Sequence, residues 1–581
     1  MSIDIETYRL KAQEAIEYVF VKEYHNSLGI PMPIVKMLLP DDANYSTGQY
    51  YITIDKTWQI HLNFGKLPIS YHEFQNEVKV LTRHEIEHYM CCPFDVITHF
   101  RMLKRIKDVY YKHFSHLGIN IKYACGAISN QAADIIVDTK NYYRHSKETL
   151  KSEIDWIKIG ANISACPRHC KLMFLTKEAI WKEDLGINET DPEFLKIVHQ
   201  LADSFTKNGI EDKSSFLDKV EEYAEIFFKL YVEDQKNPQQ SGQQGSQQQS
   251  GQQGSQQQSG QQGPQQQSGQ QGSQQQSGQW GVGRPKDGDE HGNAFVFADP
   301  DKVKEAIEVL AEETSVEEFI DLLAIAGIIG MSDKQKGVLW FNVQSANIIP
   351  IVEFSNTGNK SSYTYPSVWR IGDPIEELDL MLTYMTSPRL IPGMTTKKWE
   401  YVSNDDNGTE SKQMDLLLVV DTSGSMGSAM KESANMHQAV LASYGILSYF
   451  ESTKSKVAFI GFSDKIDAYV DWSDKYDDVR ERLLTNGHGG TKFPISRIKS
   501  TLDVRSRDLV TVLITDGDLG NINESVSYFR DYLNDDNKLY IFLLGGSKSL
   551  HSYEPLKNIG AKIYNANNAN EFCDMVLTDM E

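Results

Sequence analysis

The chain is poor in cysteine, short of basic residues relative to acidic ones, and without long apolar runs. Each shortage narrows what it can be. Six cysteines among 581 residues, two of them adjacent at Cys91 and Cys92 and therefore poorly placed to bridge, do not make a disulfide framework and fit a reducing compartment. Lys and Arg number 58 against 80 Asp and Glu, a formal charge of -22. That balance argues against a nucleic-acid or anionic-membrane partner, since phosphate binding needs a local cationic surplus. No span of eighteen apolar residues is present to cross a bilayer. The opening MSIDIETYRLKAQEAIEYVF sets acids among its apolar positions and reads as a helix, not a signal peptide. The expectation is a cytoplasmic protein with no nucleic-acid partner and no membrane partner.

What is present is unevenly distributed. Hydrophobic residues make up 40% of the chain, and its length exceeds what one core accommodates, so the expectation is a multidomain protein. Residues 242–277 are four copies of a nine-residue unit, GQQGSQQQS, with Pro264 replacing Ser in the third. No large apolar side chain occurs in the unit, so it cannot bury area and is expected to be a disordered linker spanning roughly 35 Å.

Before that linker, Ile34 to Leu39, Gln49 to Ile54 and Trp58 to Phe64 read as strands of a small antiparallel sheet. Ser70-Tyr71-His72-Glu73 forms a capping box, and helical spacing continues from Phe74 to about Cys92, where Pro93 stops it. On this helix His84 and His88 stand four residues apart, so both imidazoles leave one face and can share a metal. Glu85 lies beside them, where a carboxylate can take a proton from a metal-bound water, the H-E-x-x-H arrangement of zinc peptidases. A second helix starting near Asn130 carries Asp134 and Asp138, again four apart on one face. The plainer alternative makes these polar residues on half-exposed helices. Cys166-Pro167-Arg168-His169-Cys170 offers ligands that zinc takes, but at an unusual spacing and without a second pair. Packing and a free thiol explain it equally well.

After the linker, Pro300 to Leu310 and Ser315 to Ile325 read as amphipathic helices, the second with a capping box at Ser315 and Glu318. The aromatic and proline-rich stretch from Trp340 to Glu400 follows, and is expected to pack on the last domain. There, short apolar runs at Leu416 to Val420, Lys456 to Phe462, Leu509 to Thr515 and Leu539 to Leu544 alternate with helical patterns, as in an α/β doubly wound parallel sheet of Rossmann-like type. Ligands of such sheets gather at strand C-terminal ends. Asp421, Ser423 and Ser425 follow the first run, Asp516 follows the third, and Thr491 ends a glycine-rich loop, Gly487-His488-Gly489-Gly490. These are the hard oxygen donors Mg²⁺ prefers. The alternative is that they only cap helices.

Those five positions resemble the metal-ion-dependent adhesion site of the von Willebrand factor A (VWA) family, over about residues 410–581 with no member of the motif missing. An H-E-x-x-H domain in front of a VWA domain is similar to the VWA-containing bacterial zinc metallopeptidases that accompany MoxR-type AAA ATPases. The resemblance implies four parts: an α+β zincin-like domain at 1–236, the linker at 237–283, a helical and aromatic segment at 284–409 packing on the VWA domain, and the VWA domain at 410–581. By likeness to the gluzincin peptidases it makes Asp134 the third zinc ligand after His84 and His88, and Asp138 the residue that orients a ligand histidine, although that group uses Glu at the ligand position. The implied cofactors are Zn²⁺ and Mg²⁺. The implied function is a zinc-dependent peptidase with Glu85 as general base, whose Mg²⁺ recruits a protein partner through a carboxylate. The alternative it leaves open is a non-catalytic adaptor of an AAA ATPase, working in remodelling or metal insertion, with a structural zinc.

Overall fold

The structure, a computed structural model, describes residues 5–25, 28, 32, 34–38, 50–54, 59–64, 70–160, 163–236, 300–328, 331–348, 363–369, 397–402, 414–505, 508–517, 519–535, 537–545 and 550–566. The expected linker at 237–283 lies outside them. The chain divides into two units, Met1–Lys336 and Gly337–Glu581.

The first unit is mostly helical. After α1 (Ile5–Glu17) come β1 (Ile34–Leu38), β2 (Tyr50–Ile54) and β3 (Gln59–Phe64). Their order is β1-β3-β2, with β1 parallel and β2 antiparallel to β3, so the sheet is mixed and not the antiparallel one expected. A run of helices follows: α2 (Tyr71–Met90), α3 (Val96–Val109), α4 (Ile121–Gly160), α5 (Arg168–Trp181), α6 (Pro192–Thr206) and α7 (Phe216–Lys236). Local sequence explains their bounds. Ser70 accepts from the Glu73 backbone and Glu73 reaches back to Ser70, closing the capping box that starts α2. Asp191 accepts from the Glu193 and Phe194 amides, Pro192 opens α6, and Phe194, Val198, Leu201, Ala202 and Phe205 make its buried stripe.

Helix α4 begins at Ile121, well before the expected start near Asn130, and breaks at His145, where φ is -135° and ψ is 49°. The break has a consequence for the site. Asp138 and Glu153 lie on either side of it, and a straight helix would hold them about 22 Å apart. Instead one ammonium group, that of Lys177, binds both. The chain therefore turns back at His145, and α4 acts as two helices that share a core.

Helices α8 (Pro300–Glu313) and α9 (Val316–Ile325) also belong to the first unit, packing on α3 and α4. This corrects the expectation that 284–409 packs as one piece on the last domain. The reason is physical complementarity: Leu310, Ala311, Phe319, Leu322 and Leu323 are buried, while Arg101, Lys104 and Lys107 of α3 pair with Glu313, Glu318 and Asp321. Helix α7 and helix α8, which flank the repeats in sequence, thus lie in the same unit.

The second unit opens inside α10 (Asp333–Ile348), whose Trp340 and Phe341 pack on His437 and Tyr444. Strands β4 (Tyr363–Val368) and β5 (Lys397–Val402) pair antiparallel. The main body then runs β6 (Asp415–Asp421), α11 (Asn435–Ser452), β7 (Val457–Phe462), β8 (Ile466–Ser473), α12 (Tyr476–Leu483), α13 (Ile495–Leu502), β9 (Leu509–Thr515), α14 (Val526–Asn534), β10 (Lys538–Leu544), α15 (Leu550–Lys557) and β11 (Lys562–Ala566). The six strands are ordered β11-β10-β9-β6-β7-β8, all parallel except β8, which is antiparallel to β7. The sheet is therefore mixed α/β, not wholly parallel as expected. Strands β6, β7 and β9 are buried at every residue, as a sheet covered on both faces requires. Leu417, Val419, Ile460, Leu513 and Ile541 pack with Ile498, Phe529 and Tyr553 on one face. Alternation sends Leu416, Leu418 and Val420 to the other, toward α11. Among the described residues, no helix is long and apolar enough to cross a membrane.

Candidate metal centres

The last two turns of α2 are unusual, because Thr82 through His88 are all buried although six of the seven are polar or charged. A helix buried on every side pays for such residues only if each is satisfied. Thr82 donates to the Val78 carbonyl at 2.6 Å. Arg83 is held by Glu23 and Glu148. Glu87 meets Lys140, Arg144 and the Tyr24 hydroxyl.

The two histidines face each other across one turn. His84 Nε2 lies 3.1 Å from His88 Nε2, 3.5 Å from Asp134 Oδ1 on α4, and the His88–Asp134 edge is 3.3 Å. A tetrahedral zinc with ligands at its usual distances has ligand–ligand edges of about 3.3 Å. The three donor atoms thus form a triangle of the right size, and they are the one group of three or more His, Cys, Asp or Glu side chains among the described residues positioned to hold a metal ion. The far nitrogens are fixed. His84 Nδ1 is 2.6 Å from Asp138 Oδ1, and His88 Nδ1 is 2.8 Å from the Cys92 carbonyl, so each ring is anchored with Nε2 pointing into the triangle. Asn130 donates to Asp134 Oδ2 at 3.0 Å, leaving Oδ1 as the inward oxygen.

Burial alone would push the His84 imidazole down, but Asp138, Asp134 and Glu85 outweigh it and raise its pKa to about 9. Burial pushes Asp138 up, and Lys177 with His84 more than reverses this, holding its carboxyl well below the usual range. Around the triangle the buried carboxylates Glu85, Asp134 and Asp138 and the half-buried Glu153 face one buried ammonium, Lys177. A dication would offset that excess. His84, Glu85, His88 and Asp134 are 6%, 3%, 0% and 4% exposed.

The Cys166–Cys170 segment is different. Neither cysteine is in a disulfide, and His169 is committed to Asp234, with Nδ1 at 2.8 Å and its ring edge-on to Phe227 and Tyr231. Packing accounts for this histidine.

In the second unit the chain enters the sheet at β6 and leaves it in both directions. The switch point therefore lies between β6 and β9, whose C-terminal ends are in register. Asp421 and Asp516 meet there. Asp421 accepts from the Ser423 amide at 2.9 Å and from the Thr515 hydroxyl at 2.6 Å. Ser423 and Ser425 hydroxyls are 3.1 Å apart, and Ser425 donates to Asp516 at 3.0 Å, with Asn435 donating to the other Asp516 oxygen at 3.2 Å. Burial raises the Asp421 pKa, the bonds from Thr515 and Ser423 lower it, and the neighbouring Asp516 raises it further, for a net upward shift. Two carboxylates and two hydroxyls are thus gathered at one strand end. Thr491 is half-buried on the adjacent loop, and no hydrogen bond joins its side chain to the other four. That loop meets them through the Gly489 carbonyl, which accepts from Gly424 at 3.3 Å.

Gly487 sets how closely this loop approaches. A Cβ there would lie 2.3 Å from Asp467 Oδ2 and 2.5 Å from the Thr422 carbonyl. Gly487→Ala is therefore expected to push the loop off the Asp421 turn and cost about 1–3 kcal/mol. Thermal denaturation measures it, and an unchanged melting temperature contradicts the close approach.

No family model matches this chain, and no curated protein matches it. Among solved structures, one similar to part of it is described as the crystal structure of an uncharacterized membrane spanning protein from Vibrio fischeri. It is 18% identical, spans 28% of this chain and 96% of that chain, and has a TM-score of 0.13. A likeness at that score carries no argument about this fold or its function.

Several residues at the two centres escape sequence reasoning. Lys177 has one visible signal, a lysine following the apolar run Leu172 to Leu175 on α5. Asn130 has the i, i+4 spacing to Asp134 on one helix, whereas Glu153, Thr515 and Asn435 have none, since each acts through a partner between 24 and 94 residues away.

Proposed function

We propose that the chain is a zinc-dependent peptidase whose second unit is a VWA domain, with a Mg²⁺ site that recruits a protein partner. The observation that carries the reading is the triangle of His84, His88 and Asp134 donor atoms with Glu85 on the same helix turn. Zinc, when bound, supplies Lewis acidity toward a peptide carbonyl and toward water. The chain's own residues do the rest. Glu85, which contributes to the field at His84, accepts the proton of the attacking water and returns it to the leaving amine. Asp138 holds the His84 ring through Nδ1, and the Cys92 carbonyl holds that of His88.

At the other centre Asp421, Ser423, Ser425 and Asp516, with Thr491 joining from its loop, would hold Mg²⁺ and leave a position for a carboxylate of another protein. By resemblance that protein is a MoxR-type AAA ATPase or a substrate, and the setting is the cytoplasm. None of the five described cysteines is in a disulfide, in agreement with a reducing compartment.

One observation favours a second reading. All four residues of the zinc centre are nine-tenths buried or more, as in a closed structural zinc, and this suits an adaptor without catalysis. Both readings require the metal. Purified full-length protein is expected to contain one zinc per chain by elemental analysis, and His88→Ala almost none, with helicity by circular dichroism retained. Zinc-free wild type, or zinc retained by the variant, overturns the centre.

A further inference from the structure

Lys177 lies on α5, far in sequence from the ligands, and is 2% exposed as a side chain. A lysine buried this deeply keeps its charge only beside carboxylates. It has two: its Nζ is 2.5 Å from Asp138 Oδ2 and 2.9 Å from Glu153 Oε1. Asp138 spends its other oxygen on His84 Nδ1 at 2.6 Å. Both oxygens of Asp138 are thus committed in opposite directions, one to the ligand histidine and one to the lysine. Without the ammonium the carboxylate would be free to rotate about χ2 and to draw His84 with it. Glu153 holds the ammonium from the far side, and the break at His145 is what brings it there.

We propose that Lys177, seated by Glu153, is a positioning residue for the metal centre. Through Asp138 it fixes the His84 ring, so that the Nε2 lone pair is aimed at the metal before the metal arrives. The device is a four-group chain, Glu153 to Lys177 to Asp138 to His84, crossing three helices, and it rests on the zinc reading given above. It goes beyond that reading because neither Lys177 nor Glu153 touches a ligand. Phe174 is buried beside the chain, its ring centroid 5.6 Å from the ammonium.

The test uses full-length protein. Lys177→Met alone strands the buried Asp138 and the half-buried Glu153 and risks unfolding, so it is paired with Lys177→Met/Glu153→Gln, which removes both charges together. A control, Lys171→Met, removes a buried lysine of the same helix that pairs with Glu189 instead. Zinc affinity is read by competition with a chromophoric chelator, and ligand geometry by the visible spectrum of the cobalt-substituted protein. The double variant is expected to bind zinc about 10–100-fold more weakly and to show an altered cobalt spectrum, whereas the control keeps both. Wild-type affinity and spectrum in a folded double variant overturn the positioning role. An equal weakening in the control also overturns it, since the effect is then one of general stability. Wild type that binds no zinc at all fails the reading beneath, and the inference with it.

Discussion

Glu85→Gln is expected to keep a full complement of zinc and to lower kcat/KM for an unstructured protein substrate by roughly 10²–10⁴-fold. The substitution preserves shape and hydrogen-bonding size while removing the carboxylate near the two histidines that is neither a corner of the triangle, as Asp134 is, nor tied to His84 Nδ1 and Lys177, as Asp138 is. Zinc should stay because Glu85 is not a corner of the triangle, whose three edges run between His84, His88 and Asp134 at 3.1 to 3.5 Å. The same variant separates the two readings. If wild-type protein hydrolyses no substrate under conditions where it holds zinc, the closed structural centre and the adaptor reading take precedence. If Glu85→Gln cleaves as fast as wild type, the proton-transfer mechanism is wrong even though a peptidase remains.

The second large effect lies in the other unit. Asp421→Asn retains an acceptor for the Ser423 amide and removes the charge that would hold Mg²⁺. Its buried carboxylate, with an upward-shifted pKa beside Asp516, is held at a cost that a bound dication would offset. The sign follows directly: a carboxyl whose folded pKa is raised favours the folded state when protonated, so without Mg²⁺ this site weakens the fold as the pH rises through that pKa. On the Mg²⁺ reading proposed above, the variant is expected to fold at least as stably as wild type without Mg²⁺, to lack the Mg²⁺-dependent stabilisation expected of wild type, and to lose the Mg²⁺-dependent capture of a protein partner that this reading predicts. Thermal shifts with Mg²⁺ and with chelator, alongside pull-downs under both conditions, read the two effects. Partner recovery that ignores both the mutation and the chelator would sink the open-site mechanism.

The two centres were legible in sequence to different depths. His84 and His88 could be placed on one face because four residues of helix return the chain to the same side, a purely local rule. Asp421, Ser423 and Ser425 were legible because a short apolar run ending in Asp marks the end of a buried strand, where such sheets bind ligands. The edge strand β8 was missed although its alternation, Ile466, Ala468, Val470 and Trp472 against Asp467 and Asp471, is present in the sequence. A half-exposed strand has no continuous apolar run to draw attention. The placement of α8 and α9 was missed for a different reason. Their apolar stripes show that they dock, but not on which surface, and the choice was made by the basic face of α3.

The sequence by itself determined the elements and their local chemistry: the capping box of α2, the paired histidines, the buried strands and the acids at their ends. All of these depend on spacings of a few residues and on the period of helix or strand. Only the tertiary structure decided what completes each centre. The break at His145 brings Glu153 to Lys177, α5 brings Lys177 to Asp138, and the parallel pairing of β6 with β9 brings Thr515 and Asp516 to Asp421. Contacts between side chains so far apart in the chain are set by which surfaces pack together, and no periodicity in the sequence records that choice.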